Sequence, residues 1–271
     1  MIITKTPSRV SFLGGGTDYQ EYYMKYTGCV IATTIDKYCY VSVHNGKVSH
    51  YQDLPSGCGM ATSSAFTVGL LKATTQLPND EIASLATEWE RDKTGGNCGV
   101  QDQYLCAVGG FKRLRIYGSG IVAEDLDYDW LEPYLMLFDT GIYRKGGDVI
   151  KHQLDRVEQN TSTLHELKFL ALQNYETPEE FGGALNIAWS LKRSLSSDVS
   201  TNEVDRYYDK SMDAGAIGGK LLGGGGGGFM VFVVPLDKQD DVRRALKLNQ
   251  IQFKFEKSGS CVIYNDALAN L

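Results

Sequence analysis

The stretch PSGCGMATSSA, residues 55–65, sets how this chain is read. Gly57 and Gly59 precede the hydroxyl run Thr62, Ser63 and Ser64, and from about Ser63 to Thr75 the residues Phe66, Leu70 and Ala73 share one helical face. A glycine turn that opens a helix leaves main-chain N–H groups exposed and points the positive end of the helix dipole at what lies before it, which makes an anion site. Pro55, Gly57, Gly59, Met60, Ala61, Thr62, Ser63 and Ser64 are therefore the candidate phosphate cradle. The hydroxyls at the helix start either cap the backbone or hold a Mg²⁺ shared with phosphates; an ordinary capped helix is the competing reading.

Upstream of the cradle, Thr4–Phe12 alternates as a strand and ends at Gly14-Gly15-Gly16. Val30–Ile35 and Tyr38–Val43 read as two strands with a turn at Asp36-Lys37. Downstream, Asn79 is a fitting N-cap for an amphipathic helix that runs to about Asp92 and carries Glu90 near its end. A loop at Gly95–Val100, a short helix over Asp102–Ala107, strands near Leu114 and Ile121, and an apolar strand at Tyr134–Asp139 follow. Three helical patterns then run from Gly147 to Asp213, built on Ile150, Leu154 and Val157, on Phe181, Leu185 and Ala188, and on Val204, Tyr207 and Tyr208. The chain closes with a strand at Phe229–Val234, a helix at Asp237–Leu248 and strands at Ile251–Phe255 and Ser260–Tyr264. Such partial segregation predicts an α+β protein of two lobes, 1–133 and 134–271.

Composition narrows the function classes. With 27 Lys plus Arg against 33 Asp plus Glu the formal charge is −6, opposite in sign to the footprint of a nucleic-acid binder. The six cysteines show no C-x-x-C pair and the start of the chain does not resemble a signal peptide, so a reducing, cytoplasmic setting is expected. Leu54–Leu71 is uncharged, yet its proline, glycines and hydroxyl residues make it a poor membrane span, and no membrane association is expected. His44, His50, His152 and His165 lack the spacing of metal ligands. The outlying number is 30 glycines, which are clustered.

Neither common nucleotide signature is present: Leu221 follows Gly219-Lys220 where a P-loop needs Ser or Thr, and the glycine run 223–228 precedes a strand instead of a helix. Three segments, PSRVSFLGGGTDY (7–19), PSGCGMATSSA (55–65) and GGKLLGGGGGGF (218–229), do occur in the order of the three motifs of the GHMP kinases, and the chain resembles that family over nearly its whole length. Within it, GVQDQY (99–104), FDTGIYR (138–144) and GAIGGKLLGGGGGGF (215–229) are most similar to the kinases of D-glycero-D-manno-heptose 7-phosphate. The resemblance implies a ribosomal protein S5 domain 2-like N-terminal lobe that binds ATP and a ferredoxin-like C-terminal lobe. It also implies ATP and Mg²⁺ as cofactors and a small sugar phosphate as partner, phosphorylated at its anomeric hydroxyl to the 1,7-bisphosphate.

Phosphoryl transfer needs positioning, charge neutralisation and an acidic group for the attacking hydroxyl. The resemblance places the catalytic aspartate at Asp102 and its basic partner at Arg9, with Ser63 and Glu90 holding Mg²⁺ and Glu88 as the neighbouring alternative. It sets Gly15, Gly16, Thr17 and Asp18 against sugar hydroxyls, although Thr17 or Asp18 would serve equally as a helix N-cap. Thr140, Gly141, Arg144 and Lys220 are the expected ligands of the distal phosphate, and the run containing Gly225 brings the backbone close to the second motif. Two features depart from the family pattern. Ala61 stands where relatives usually carry glycine, and only Asn45–Leu54 separates the second strand from Pro55, where relatives usually have several tens of residues, so an omitted loop is expected. A kinase for an unphosphorylated sugar and a catalytically inert binding module are the two alternatives.

Overall fold

A computed structural model describes residues 1–96, 98–143 and 146–266, with the backbone alone for 146–148. Strand β1 (Ile2–Leu13) leads through helix α1 (Gln20–Tyr26) to the long strand β2 (Gly28–His44) and its hairpin partner β3 (Lys47–Gln52). Helices α2 (Thr62–Thr74), α3 (Asn79–Thr94) and α4 (Gln101–Val108) follow, then strands β4 (Phe111–Tyr117) and β5 (Gly120–Asp125). The second half begins with β6 (Leu135–Asp139) and continues through α5 (Gly146–Leu154), α6 (Thr161–Leu172), α7 (Pro178–Leu195) and α8 (Asn202–Asp213). It ends with β7 (Gly218–Leu221), β8 (Phe229–Val233), α9 (Gln239–Leu246), β9 (Asn249–Ile251), β10 (Phe255–Glu256) and β11 (Cys261–Asn265).

The first sheet is antiparallel, in the order β11-β1-β2-β4-β5, with β3 and β10 also paired to β2. Strand β1, between β11 and β2, is buried from Thr6 to Leu13, because α2 and α4 cover one face while α6 and α7 of the second half cover the other. The packing against α2 is close: Thr4 Oγ1 donates to the Gly69 carbonyl at 2.9 Å. On the far side the fully buried Arg113 of β4 clamps the end of α6, donating to the carbonyls of Ala171 and Gln173 at 2.9 and 2.6 Å.

Asp36 and Lys37 do not turn the chain. β2 runs straight through them as one strand, and they bulge out where the register with β1 jumps from Ser8–Ile35 to Pro7–Tyr38. Pro7 has no N–H to give to the ladder, so an interruption there is cheap. Residues 45–54 likewise form continuous structure: Asn45 and Gly46, both at positive φ, close the β2–β3 hairpin, and the Gln52 side chain donates to the Thr62 carbonyl at 3.0 Å. The short connection is thus filled by an exposed edge strand.

The second sheet is antiparallel in the order β7-β8-β6-β9, which in chain order of its own strands is the 2-3-1-4 arrangement of a ferredoxin-like lobe. Its period-two alternation divides it between two cores. Leu135, Leu137, Val231 and Val233 join Val10, Phe12 and Phe181 in a core shared with the first sheet. Met136, Phe138, Met230 and Phe232 pack with Trp189, Val204 and Tyr208 on the opposite face.

Between Gly146 and Asp213 the chain forms four helices, not three. α6 buries Leu164, Leu167 and Ala171, but exposed Phe169 and Leu172 blur its apolar stripe in the sequence, and Val157 lies in the turn before it. Asn79 does not cap α3, whose N-cap is Pro78; its side chain accepts from Lys72 and donates to the Ser260 carbonyl. β10 and β11, which follow the second lobe in sequence, return to the first sheet and pair with β2 and β1.

Candidate active site

A cleft of about 280 Å³ lies where β1, the start of α2, the last turn of α3, the start of α4, α7 and the glycine run 223–228 converge. The second and third glycine segments touch directly. A Cβ on Gly59 would stand 2.6 Å from the Leu222 carbonyl oxygen, and one on Gly223 would stand 2.5 Å from Gly59 Cα, so neither position admits a side chain. Beside this contact Gly57, Gly59, Ala61, Thr62, Ser63 and Ser64 line the cleft. Ala61 is the N-cap of α2, in the left-handed region at φ 58°, and no side chain caps the helix. The first N–H groups of α2 are therefore available to an anion in the cleft, which fits the triphosphate of ATP.

Arg9 and Asp102 meet across this cleft from residues far apart in sequence. Arg9 donates from Nε to Asp102 Oδ1 and from Nη2 to Oδ2, both at 2.8 Å, and from Nη1 to the Gly59 carbonyl at 2.7 Å. The same guanidinium thus holds the carboxylate and the phosphate turn in one plane, which only arginine's rigid fork can do. Burial opposes the Arg9 charge, but the field and hydrogen bonds of Asp102 prevail and its pKa lies above the ordinary value. The Arg9 side chain is 5% exposed and that of Asp102 27%, so the carboxylate keeps an open edge toward the cleft.

Glu90 reaches the cleft from the last turn of α3, while Glu88 is exposed. Its Oε2 accepts from Ser64 Oγ at 2.9 Å and from Gln103 Nε2, whereas Oε1 is buried without a hydrogen-bond partner. Burial raises the Glu90 pKa, countered by Gln103 and Ser64. A buried carboxylate oxygen left without a partner, in a cleft that Ser63 also lines, suits Mg²⁺, which takes few protein ligands and keeps its waters and phosphates; the hydroxyl in contact with Glu90 is that of Ser64, not Ser63. Among the described residues, no group of three or more His, Cys, Asp or Glu side chains is arranged to hold a metal.

At the other end of the cleft Gly15, Gly16 and Asp18 line the wall. Asp18 accepts from Gln101 Nε2 at 2.9 Å and from the Gly16 N–H at 3.2 Å; burial, then the negative Asp102, raises its pKa. Gly99 makes room for it, since a Cβ there would sit 2.1 Å from Asp18 Oδ2. Lys220 donates to the carbonyls of Ser11 and Phe12 at 3.1 and 2.8 Å, and burial followed by the positive Lys192 and Arg9 lowers its pKa well below the ordinary lysine value. Gly225 also lines the cleft.

Other expected residues stand elsewhere. Thr17 is buried and donates to the carbonyls of Gly14 and Cys29; neither it nor Asp18 caps α1 with its side chain. Thr140 donates to the Gly228 carbonyl at 2.6 Å and Gly141 is exposed, both outside the cleft lining. Met60 belongs to the shared core, serving the site through its carbonyl, which accepts from the Arg9 N–H. Pro55 is exposed, and Arg144 lies outside the described residues. Sequence reading passed over Tyr19, Gln101, Gln103, Gln153 and Lys192, all of which line the cleft. Tyr19, which ends the segment 7–19, and the glutamines flanking Asp102 had a signal that pointed to them; Gln153 and Lys192 had none.

The GHMP kinases N terminal domain model matches residues 25–110 and the GHMP kinases C terminal model matches residues 169–251. The chain is 31% identical to a D-glycero-alpha-D-manno-heptose 7-phosphate kinase of Campylobacter jejuni, over 95% of this chain and 97% of that protein. The chain belongs to the GHMP kinases. The alignment with that relative spans 330 positions, more than the 271 residues of the sequence, so the relative carries residues with no counterpart in it. A galactokinase of Pyrococcus furiosus is 24% identical over 72% of the chain and 66% of its own length. The fold is that of a D-glycero-D-manno-heptose 1-phosphate kinase from Bacteroides thetaiotaomicron, with a TM-score of 0.77 at 24% identity over 98% and 100% of the two chains. Among the described residues no helix is long and apolar enough to cross a membrane.

Proposed function

We propose that this GHMP kinase transfers the γ-phosphoryl group of ATP to the anomeric hydroxyl of D-glycero-D-manno-heptose 7-phosphate, giving the 1,7-bisphosphate and ADP. The observation that carries this reading is the bidentate Arg9–Asp102 pair, facing a cleft lined by all three glycine segments. ATP lies with its phosphates on the α2 N-terminus, and the sugar lies over Gly15, Gly16 and Asp18. Each Asp102 oxygen spends one lone-pair direction on Arg9 and keeps another for the attacking hydroxyl, so the carboxylate orients that hydroxyl and takes its proton as the new O–P bond forms. Arg9 adds fixed positive charge beside the reacting group. Mg²⁺, held by Ser63 and Glu90, supplies further neutralisation of the phosphate oxygens when bound. The substrate's own phosphate is assigned to Lys220, which lines the cleft, together with Arg144.

A kinase for an unphosphorylated sugar is the second reading, favoured by Thr140 and Gly141 standing outside the cleft. ADP release measured with heptose 7-phosphate, mannose, galactose and fucose at fixed ATP separates the two. Turnover confined to the heptose phosphate, and abolished by chelating Mg²⁺, is expected. Equal or better turnover of a free sugar overturns the substrate, and no turnover with any of the four favours an inert binding module.

A further inference from the structure

The cleft holds one charged group with no part in the transfer described so far. α7 turns Phe181, Leu185, Ala188, Trp189 and Leu195 inward, and Lys192 lies in the same buried stripe. A lysine among apolar side chains is costly unless its charge is met. Among the described residues its Nζ has a single hydrogen-bond partner, the Gly223 carbonyl, and no carboxylate at ion-pair distance. The charged groups that face it are Arg9 on β1, Asp18 in the turn after β1, Asp102 on α4 and Lys220 on β7. Both carboxylates are already engaged, Asp102 by Arg9 and Asp18 by Gln101. Burial, then the positive Arg9, lowers the Lys192 pKa to about 8. A cation with unfilled N–H donors therefore stands at the seam where Gly223 abuts Gly59 of the phosphate turn.

We infer that Lys192 is a further catalytic residue of the reaction proposed above, its ammonium turning its spare N–H donors to the γ-phosphoryl oxygens of ATP. Its position argues for the transferred group over the sugar's own phosphate. The carbonyl that anchors it belongs to the glycine packed on the ATP-binding turn, and it faces the Arg9–Asp102 pair at which the hydroxyl is oriented. In the transfer the bond from the γ-phosphorus to the β–γ bridging oxygen breaks as the bond to the sugar oxygen forms. Charge meanwhile spreads over the three equatorial oxygens, where a fixed ammonium stabilises it without reorganising.

The test reads nucleotide binding first, so that it does not depend on which sugar is the substrate. Calorimetric titration of wild type, Lys192→Met and Lys192→Arg with AMPPNP and with ADP, each with Mg²⁺, isolates the contribution of the third phosphate. We expect Lys192→Met to keep ADP affinity within about twofold, to lose about tenfold or more in AMPPNP affinity, and to drop kcat by about a hundredfold. The KM for heptose 7-phosphate should change little, and Lys192→Arg should restore most of the AMPPNP affinity. Equal losses for ADP and AMPPNP overturn the inference, as does a defect confined to the sugar-phosphate KM, which would place the lysine on the substrate's own phosphate. A wild-type enzyme that binds both nucleotides but turns over no heptose phosphate contradicts the substrate alone. Should Lys192→Met fail to fold, the wild type decides: its preference for AMPPNP over ADP must fall between pH 7 and 9 as the ammonium loses its proton, and a flat or rising preference overturns the assignment.

Discussion

Replacing Asp102 with Asn separates the chemistry of the site from its architecture. The volume is unchanged, but the acceptor set is halved: Arg9 now donates to two carboxylate oxygens at 2.8 Å, whereas an amide offers one oxygen and turns an N–H toward the second guanidinium donor. A hydrogen bond to a charged group is worth about 1.5–3 kcal/mol, and stripping the partner from a buried ion costs about 3–5 kcal/mol. Since the Asp102 side chain is 27% exposed and Arg9 keeps the Gly59 carbonyl, the lower part of that span applies, about 2–3 kcal/mol. At about 2–4 °C per kcal/mol for a chain of this size, the melting temperature should fall by about 4–12 °C. That leaves the enzyme folded at 25 °C, given the usual stability of about 5–15 kcal/mol. Loss of the proton acceptor should lower turnover by about 10²–10⁴. Differential scanning fluorimetry and coupled ADP release from heptose 7-phosphate read the two effects on one preparation. Turnover within threefold of wild type would refute the role of the carboxylate, and an unchanged melting temperature would refute the coupling to Arg9.

Three further outcomes follow from the same geometry. Gly99→Ala would bring a methyl to 2.1 Å from Asp18 Oδ2, so the KM for the sugar should rise about tenfold or more while that for ATP stays put; an unaltered sugar KM would separate Asp18 from the sugar. Ala61→Gly relieves a left-handed alanine worth about 1–2 kcal/mol against about 0.4–1 kcal/mol of added unfolded-state entropy, so urea titration should show a gain of up to about 1.5 kcal/mol, and a loss would contradict the strain. Lys192 titrates near 8 when folded against 10.5 for an ordinary lysine; the unfolded chain then binds more protons between those values, and stability contributed by this group rises with pH across that window. Lys192→Met should flatten the rise seen by urea titration between pH 7.5 and 9, the upper bound being set by buried thiols such as Cys58, whose pKa is raised to about 11 by burial and whose effect has the opposite sign above pH 9. Identical pH slopes for the two proteins would be inconsistent with a depressed Lys192.

The residues in plain view along the chain were those whose chemistry is local. Glycine at 57 and 59, hydroxyls at 62–64, and an apolar stripe behind them mark a turn that opens a helix, because backbone freedom and helical periodicity are properties of a few adjacent residues. Arg9, Glu90 and Asp102 were legible through the wording of short segments around them. α6 was hidden by two exposed apolar side chains, and β7 by its glycines, which have little strand preference of their own and pair only because β8 lies alongside.

Which of the candidates share a cleft depended on how distant strands and helices come together. Thr17 and Thr140 have the same chemistry as Ser63, yet their hydroxyls spend it on main-chain carbonyls, and no pattern of neighbours in the chain announces that. Lys192 reads along α7 as one more polar residue between apolar ones; it becomes a cleft cation only because the glycine run folds over that helix face and sets its carbonyl against the ammonium. Local preference selects elements and turns over a few residues, whereas burial and electrostatics at one point sum over groups tens to hundreds of residues apart, so they are settled only when the two sheets close on their common core.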